Sequence, residues 1–546
     1  MRYINPKMLE VTLRELRNSY YFVDKTGLIT EAVRLIGQSD KYLCITRPRR
    51  FGKTKNAQTL GAFLSQGLDV AELFDGLEVT RCDDAMQHLG AHDVIYIDFS
   101  ELPHEKACYQ EYIDNITKGL LRDLSEEYPD LEFSQEVLIF DALKTVFEKC
   151  GAKFCFVMDE WDSMFQNESF SKKDMKNFLI FLKQLLKDKP YVEFAYMTGV
   201  MPIAKHSSGS ELNMFAEYTA VEDPHFDLYF GFTEAEVEEL CDEHNKKVSN
   251  PRVDYDGLKF WYDGYIAIDG TRRFNPRSVA LALKDDYLKN YWTETGPGCE
   301  IYDCIRNNID DVRDDMVKLL CGEEVEAKMY KFAASDMSLN TRDEIFSAMV
   351  VYGFLTYYNG FVSVPNHELM LKFEEVMHKK EMGYVQRFAK RSREVLAATL
   401  RVDEEALADL IGEAHNQEIP LIRYSTEASL AALINLVYLD ARNRYQVLQE
   451  QHGGKGIADV AFFPYDRHDS RFPPFVVELK VADNNETAED TAIRALKQIK
   501  SRDYLAMFNN ALTGEAKFEG TPLAVAISWD PKDKKHSCRI EELQED

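Results

Sequence analysis

Short, mostly apolar runs recur along the N-terminal half of the chain, and each ends at glycine or at polar residues. The runs span residues 42–45, 154–158 and 191–197. Runs of this length, closed in this way, are typical of strands buried on both faces of a parallel sheet. Because the carboxyl ends of parallel strands meet at one edge, the pattern predicts an α/β domain with polar side chains gathered there.

Further along, the spacing of apolar residues becomes helical. A helix predicted over 232–243 starts with a capping box formed by Thr233 and Glu236, and helical spacing returns at 256–290 and 318–358. These segments predict a small helical or winged-helix-like lid.

The last part of the chain returns to strands after a helical stretch. A short apolar run at 360–364 closes the predicted lid, and residues 366–414 have the helical spacing of a connector. Apolar runs at 456–463 and 475–481 predict strands of a second α/β domain. The predicted divisions are an α/β domain over 1–245, a lid over 246–365, a connector over 366–415 and a second α/β domain over 416–546.

The first apolar run leads directly into Gly52-Lys53-Thr54, the layout of a loop that binds nucleotide phosphates. In such a loop, backbone N–H groups cradle the phosphate, the lysine neutralises it and the threonine hydroxyl ligates magnesium. The usual pattern opens with glycine at the position of Arg47. Taken alone, these residues are also consistent with an ordinary turn between a strand and a helix.

Acidic residues close the second run. Asp159 follows the strand directly and is predicted to hold the magnesium shell, while Glu160 suits a general base that orients the attacking water. Asp162 is a third acid without an assigned role. The third run ends at Thr198, which either senses the terminal phosphate or is simply a strand-end residue.

With these motifs together, the N-terminal half resembles the AAA-ATPase-like family, which is found largely in bacteria and is often joined to a C-terminal nuclease-like domain. The resemblance implies a P-loop NTPase fold with a RecA/AAA-like parallel sheet, and arginine is the usual residue at position 47 in this family. The motifs that carry it are Tyr21–Thr26, Arg47–Thr54, Met158–Glu160, Thr198–Val200, Tyr229–Val237, Trp261–Tyr265, Phe274–Ser278 and Trp292–Gly296.

The resemblance also assigns residues to the nucleotide. The residues it implies for ATP binding are Arg47, Arg49, Arg50, Phe51, Gly52, Lys53, Thr54, Asp159 and Thr198. A lid in related ATPases can supply an arginine to the nucleotide, and Arg277 is a candidate for that role or for a structural role at a helix start. An AAA-like domain leaves a homo-oligomer open, and no residue identifies itself as an arginine finger.

The strand at 475–481 carries Glu478 and Lys480 two positions apart, so both side chains project from the same face. Asp459 lies on the preceding strand. An acid beside Glu-x-Lys suits a metal-dependent phosphodiesterase in which Asp459 and Glu478 bind magnesium and Lys480 positions the nucleophile or neutralises the transition state. For an isolated match, an edge-strand charge pair is the alternative.

This constellation resembles the PD-(D/E)XK nuclease superfamily over residues 419–508, with a restriction-endonuclease-like α/β fold. Glu427 corresponds to the helical acid of the superfamily, and Gln498 lies in the helix after the core strands, with Tyr504 beyond it. The chain departs from the family where Ala428-Ser429-Leu430 replaces an aromatic-histidine pair. It also departs in the glycine-rich segment at 452–456.

Composition sets limits on partners. The formal net charge of −28 argues against a broad basic surface on duplex DNA, although basic residues are enriched at 41–55 and 442–502. The 10 cysteines and 12 histidines are scattered without paired ligand spacing, so the sequence predicts no structural zinc site. The predicted cofactors are ATP and magnesium, the latter bound by carboxylates. The absence of a long apolar stretch or a signal-peptide core predicts no membrane association and a cytoplasmic location.

Two hypotheses of different classes follow. In the first, the protein binds and hydrolyses ATP and controls a magnesium-dependent nuclease, with DNA favoured over RNA as substrate. In the second, it is a nucleotide-dependent switch or scaffold whose nuclease-like domain only binds a nucleic acid or protein partner. The acidic balance favours the second hypothesis, and the clustered carboxylates with Lys480 favour the first.

Overall fold

The structure is a computed structural model that describes residues 2–543 with gaps. One compact unit comprises Met1–Asn308 and Glu326–Leu369, and the other comprises Ile309–Val325 and Met370–Asp546. The gaps lie at 102–107, 135–136, 168, 204–210, 222, 293–303, 305–308, 321, 330–338, 340, 378–383, 417–433, 435–436, 454–455, 466–468, 484–485, 503, 505–507 and 509–517.

A five-stranded parallel sheet forms the centre of the first unit. Its strands are β1 (Tyr42–Thr46), β2 (Asp93–Asp98), β3 (Phe154–Asp159), β4 (Val192–Gly199) and β5 (Ala216–Tyr218). They run in the order β2-β3-β4-β1-β5, and every neighbouring pair is parallel. The apolar runs are strands buried along almost their whole length, which confirms the predicted parallel α/β sheet.

Helices connect the strands and continue beyond the sheet in the same unit. The predicted capping box is confirmed, because Thr233 and Glu236 cap the helix that follows them. The helices of this part of the chain are α1 (Met8–Arg17), α2 (Gly27–Val33), α3 (Lys53–Leu64), α4 (Ala71–Phe74), α5 (Asp83–Met86), α6 (Tyr109–Glu127), α7 (Ile139–Cys150), α8 (Ser163–Gln166), α9 (Lys172–Leu186), α10 (Glu234–Lys247), α11 (Tyr255–Tyr262) and α12 (Pro276–Asp285), with 3-10 turns at Glu78–Arg81 and Asp227–Tyr229.

The continuous helical pattern predicted over 256–290 is wrong in its middle. After α11, strands β6 (Tyr265–Ile266) and β7 (Arg272–Arg273) form an antiparallel hairpin before α12 begins. Gly264 ends the helix, since its φ is +109° and a Cβ there would lie 1.7 Å from the Pro365 carbonyl oxygen. Only glycine fits that position.

The segment predicted to be helical over 318–358 is also only partly helical. Helix α13 (Ile309–Leu320) ends early in it, and α14 (Arg342–Tyr352) is followed by the antiparallel strands β9 (Thr356–Tyr358) and β10 (Phe361–Ser363). The three boundaries between the two units fall at the start of α13, within the short strand β8 (Val325–Glu326) and within helix α15 (His367–Met377).

The second unit is built on a mixed sheet. Its elements are α16 (Tyr384–Leu400), α17 (Glu404–Asn416), a 3-10 turn at Leu439–Asn443, β11 (Tyr445–Gly453), β12 (Gly456–Pro464), β13 (Phe475–Val481), α18 (Ala488–Ser501), β14 (Leu523–Asp530) and β15 (Lys535–Glu542). The strands lie in sequence order, and only β13 and β14 are parallel, joined by a crossover through α18.

Both faces of this sheet are covered by helices. Side chains of α16 and α17, such as Val395 and Ile411, share one core with Phe462 and Phe475. Side chains of α18, such as Ile499, share another core with the opposite face. This arrangement confirms the predicted second α/β domain, and its central strand β13 is the one that carries the Glu-x-Lys pair. Among the described residues, no helix is long and apolar enough to cross a bilayer.

Candidate functional site

The loop between β1 and α3 has a backbone that only certain residues allow. Gly52 has φ +88° and a Cβ would meet nothing within 4 Å, so conformation rather than space requires glycine there. The non-glycine residue Arg50 also has a positive φ, of 69°. Helix α3 begins at Lys53, and the amides of its first turn have no partners inside the helix, which makes them available to phosphate.

Lys53 already points into this loop. Its Nζ donates to the Pro48 carbonyl at 3.0 Å, and the residue is 4% exposed. Burial lowers the pKa of the Lys53 ammonium, while the carboxylates of Glu160, Asp162 and Asp159 oppose that shift. Phosphate oxygens would replace a neutral carbonyl with a charged partner, which suits a lysine held out of water.

The carboxyl end of β3 brings two acids to the same place. Asp159 is fully buried; its Oδ1 accepts the Glu160 amide at 3.0 Å, and its Oδ2 has no hydrogen-bond partner among the described residues. Burial, together with Glu160 and Asp98, raises the pKa of Asp159 to about 7, against the effects of Thr54 and Lys53. A buried oxygen without a partner beside a threonine hydroxyl fits a magnesium ion.

Glu160 is held in an unusual conformation for a residue with a side chain. Its φ is +49°, and burial raises the pKa of its carboxyl, opposed by Lys53. Positive φ at a non-glycine residue costs free energy and persists where the surroundings hold it. The conformation and the neighbouring cation agree with the general-base assignment, which remains a prediction.

The end of β4 is fixed by Asp162, the acid that the sequence left without a role. Its carboxylate is buried and accepts the backbone amides of Val200 and Met201, the latter at 2.9 Å. A Cβ at Gly199 would lie 2.3 Å from the Asp162 Oδ1, so this glycine is required by close approach. The Thr198 hydroxyl donates to the Ile45 carbonyl at 2.8 Å, which ties β4 to β1.

The arginines of the loop make three different kinds of contact. Arg47 is buried, and its guanidinium donates to Asp227 at 2.8 Å and to the carbonyls of Thr46 and Tyr218. Arg49 donates to Gln166 at 2.7 Å. Their nucleotide-binding roles stay predictions.

Arg50 contacts the segment that follows α12, within the predicted lid. It donates to the Tyr291 carbonyl at 3.3 Å and lies over the Trp292 ring at 4.7 Å. The amides of Tyr291 and Trp292 in turn donate to Glu368, which is fully buried. Arg277, the proposed lid arginine, is exposed at the start of α12, where Asn275 accepts its amide. Arg50 therefore joins the loop to residues 291–292.

An open cavity borders the loop. Pro48, Phe51, Phe230 and Val350 contribute to its apolar wall. Asp227 also lines it, and the Asp227 Oδ2 is buried without a hydrogen-bond partner among the described residues. No sequence motif points to Asp227, because its partner Arg47 lies 180 residues away in the chain.

In the second unit, the predicted site residues of neighbouring strands converge. The amide that follows Glu478 donates to Asp459 Oδ2 at 2.7 Å, and Lys480 Nζ lies 3.5 Å from Glu478 Oε1. Gln498 of α18 donates its amide to the same Oε1. Asp459, Glu478, Lys480 and Gln498 thus form one cluster, as the sequence predicted for them, whereas Glu427 lies outside the described residues.

The charge balance of this cluster suits a cation. The Glu478 side chain is 1% exposed, and burial followed by the nearby Asp459 carboxylate raises the pKa of Glu478 to about 7. Lys480 and then Arg502 oppose that shift. Carboxylate oxygens are the ligands that magnesium favours. A bound cation would also relieve the repulsion between the two carboxylates.

Two further residues contact Glu478. Tyr504 donates its hydroxyl to Glu478 Oε2 at 3.4 Å, and Arg502 Nη1 lies 3.8 Å from Oε1. In the sequence, Tyr504 stands out only as part of the nuclease resemblance, and Arg502 is one basic residue among many. The spacing of Gln498 and Arg502, four positions apart at the end of α18, is the signal that could have placed Arg502 here.

The comparisons with known proteins agree with both halves of this description. Residues 12–208 match the family of predicted AAA-ATPases, and residues 426–523 match the PD-(D/E)XK nuclease superfamily. These matches confirm the resemblances to the AAA-ATPase-like family and to the PD-(D/E)XK nuclease superfamily. No curated protein matches the chain.

Solved structures give weak overall likenesses. The Walker-type ATPase of Pyrococcus abyssi is 10% identical with a TM-score of 0.35, covering 64% of this chain and 94% of its own. The ORC2 protein of Aeropyrum pernix is 11% identical with a TM-score of 0.29, covering 66% of this chain and 95% of its own. At these values neither likeness bears on the chemistry.

Proposed function

We propose that this protein binds and hydrolyses ATP in its first unit and that the nucleotide state controls a magnesium-dependent nuclease in its second unit. DNA is the favoured substrate and RNA the second candidate. The observation that carries the proposal is the Glu478 cluster, in which a buried carboxyl with a raised pKa meets Asp459, Lys480 and Gln498. A domain that only binds phosphate has no physical need for paired carboxylates beside it.

In the first unit, Lys53 and the first-turn amides of α3 would hold the terminal phosphates. Glu160 would take the proton of the attacking water, because its raised pKa makes it a better base than an ordinary glutamate. Asp159 and Thr54 would hold the magnesium. Bound magnesium would supply neutralisation of phosphate charge and, in the second unit, an acidified water.

The cavity beside the loop suits the base of the nucleotide. Its walls are mostly apolar, and Asp227 Oδ2 would accept a hydrogen bond from an amino group of the base. Binding there would leave Arg47 with its present partner, so Arg47 would position the loop rather than contact phosphate.

In the second unit, Asp459 and Glu478 would hold the metal, and Gln498 and Tyr504 would fix the orientation of Glu478. Lys480, half-buried with its Nζ beside Glu478, would position the nucleophile or stabilise charge on the scissile phosphate. Arg502 has a side chain that is 39% exposed, which lets it reach a phosphate without leaving Glu478.

The alternative function, a switch or scaffold that binds without cutting, is favoured by the charge of the protein. The net charge is −28, and basic residues of the second unit are partly neutralised, as Arg471 pairs with Asp469 at 2.6 Å and Arg494 with Glu486 at 2.8 Å. Nonspecific affinity for nucleic acid depends on such cations being available to phosphate.

A cleavage assay separates the two functions. Labelled single- and double-stranded DNA and RNA are incubated with the protein and magnesium or manganese, with and without ATP. Wild type and Lys535→Ala, an exposed lysine of the same unit, are expected to cleave, and Lys480→Ala is not. Absence of cleavage by wild type under every condition, with ATP still hydrolysed, would overturn the nuclease and favour the scaffold.

A further inference from the structure

A second cluster of possible metal ligands lies at the opposite end of the parallel sheet. His92 directly precedes β2, Cys155 is the second residue of β3, and Glu193 is the second residue of β4. These three strands are neighbours and parallel, so their amino ends meet at one edge. Cys155 and Asp159 are four residues apart on β3, so the cluster lies about 13 Å along the strand from the phosphate site.

The three side chains converge. One ligand atom from each of His92, Cys155 and Glu193 lies within 4.8 Å of the other two. His92 Nδ1 and Glu193 Oε2 lie 3.0 Å apart. In a tetrahedral zinc site with bonds of about 2.0–2.3 Å, ligand atoms lie about 3.3–3.8 Å apart, so a shift of about 1 Å would complete the set.

The backbone of β4 contains an irregularity at this point. Phe154 pairs with Val192 but Cys155 pairs with Phe194, which leaves Glu193 as an extra residue in the ladder. Bulges of this kind change the direction in which a side chain points. The extra residue is the one that supplies the carboxylate beside Cys155.

A fourth residue supports the imidazole. His88 Nδ1 lies 2.8 Å from His92 Nε2, and the two rings stack with centroids 5.1 Å apart. A histidine that binds metal through one ring nitrogen usually donates a hydrogen bond from the other. His88 stands where it would accept that bond from a His92 that ligates through Nδ1.

We propose that His92 Nδ1, Cys155 Sγ and Glu193 bind a zinc ion at the amino end of the sheet, with His88 as the positioning residue and water as the fourth ligand. Thiolate, imidazole and carboxylate form the donor set of zinc, whereas magnesium prefers oxygen ligands only. On binding, a Zn–S bond replaces the S–H bond and that proton leaves to solvent. The His92 ring proton moves from Nδ1 to Nε2, and His88 takes the tautomer that is protonated on Nε2, so that its Nδ1 accepts the hydrogen bond from His92. The ion links the starts of three strands.

The scattered cysteines and histidines had predicted no zinc, and the proposal reverses that expectation. A closed hydrogen-bonded network of His88, His92 and Glu193 accounts for those three residues without a metal. It does not involve Cys155, and so the thiol is where the two explanations differ.

Cobalt(II) spectroscopy on the full-length, chelator-treated protein tests the proposal. Cobalt bound through a cysteine thiolate gives a charge-transfer absorption in the near ultraviolet that carboxylate sites, including the Glu478 cluster, do not give. Wild type and Cys44→Ser, which alters another fully buried cysteine of the same sheet, are expected to show this band with one equivalent of cobalt. Cys155→Ser is expected to lose it, and His88→Ala to weaken binding by about ten- to a hundredfold.

Zinc should displace the cobalt band and raise the midpoint of thermal unfolding of wild type and Cys44→Ser but not of Cys155→Ser. Far-UV circular dichroism of each variant without metal checks that it is folded, and His92→Gln provides a second ligand variant if Cys155→Ser is not. Absence of the band in wild type, or an equal band in Cys155→Ser and His92→Gln, would overturn the proposal.

Discussion

The two carboxylate clusters of this protein each contain a buried acid with a raised pKa, and they differ in the solvent exposure of the neighbouring lysine. Asp159 in the first unit and Glu478 in the second are buried acids on interior strands, and burial raises the pKa of each to about 7. Their lysines differ, because Lys53 is 4% exposed inside a closed loop while the Lys480 side chain is 20% exposed. The first site suits a small ligand that enters and is enclosed, and the second suits a phosphate on a long chain.

The clusters also differ in how they are assembled. The second joins two neighbouring strands and one helix within the span from Asp459 to Tyr504. The first depends on contacts between distant parts of the chain, such as the ion pair of Arg47 with Asp227. We therefore expect the first site to be sensitive to changes far from the phosphate, and the second to be sensitive mainly to its own residues.

The largest effect should come from Glu160→Gln. Loss of the general base should reduce ATP hydrolysis by about 100- to 10,000-fold while nucleotide binding is retained, because glutamine keeps the shape but cannot take a proton. Steady-state hydrolysis and equilibrium binding of a fluorescent ATP analogue measure the two quantities. Hydrolysis at the wild-type rate would move the base to another residue.

Next in size is the effect of removing Asp227. Asp227→Ala leaves the buried Arg47 without its carboxylate and should lower the free energy of unfolding of the first unit by about 3–5 kcal/mol. Denaturant unfolding, followed through the transition that ATP shifts, gives this value. The double variant Arg47→Met with Asp227→Leu should recover most of the loss, and if it also binds ATP normally, Arg47 is a structural residue.

A smaller loss is expected at Gly199. Gly199→Ala places a methyl group 2.3 Å from the Asp162 carboxylate and should cost about 1–3 kcal/mol of stability through overpacking. The matched control is Gly412→Ala in α17 of the second unit, where a Cβ meets nothing within 4 Å. Equal unfolding midpoints of the two variants would show that the end of β4 is not tightly held by Asp162.

The smallest expected effect is the pH dependence of magnesium affinity, which tests the similarity of the two clusters. Magnesium competes with a proton on Glu478, so affinity should rise with pH by at most about tenfold per unit below pH 7 and level off above it. The same raised pKa means that the metal-free fold loses stability as pH rises from the ordinary carboxyl range toward 7. Magnesium titration by calorimetry between pH 6 and 8 measures the affinity, with Glu478→Gln and Asp159→Asn each removing one contribution. A slope that both variants leave unchanged would contradict this account.

Much of the fold could be predicted from the sequence because its signals are local. An apolar run followed by Gly52-Lys53-Thr54, or by Asp159 and Glu160, places both halves of the proposed phosphate site at strand ends. Glu478 and Lys480 share a face through strand geometry alone. The hairpin between α11 and α12 was missed, because the approach of Gly264 to Pro365 is not visible in apolar spacing.

The remaining site residues could not be predicted because their partners are distant in the chain. Asp227 becomes significant only when β1 and the turn after β5 bring it to Arg47. His92, Cys155 and Glu193 lack any ligand spacing, since the parallel sheet alone brings the starts of their strands together. A parallel sheet thus brings residues together at both the amino and the carboxyl ends of its strands. The sequence motifs indicate only the group at the carboxyl ends.

The central claim is that one chain carries two separate chemistries. The most direct test measures ATP turnover and nucleic-acid cleavage on the same preparations of wild type, Lys53→Ala, Lys55→Ala and Lys480→Ala. Lys53→Ala should lose ATP turnover while Lys55→Ala, its exposed neighbour on α3, retains it, and Lys480→Ala should lose cleavage alone. Cleavage by Lys480→Ala at the wild-type rate, or loss of ATP turnover in that variant, would contradict the account.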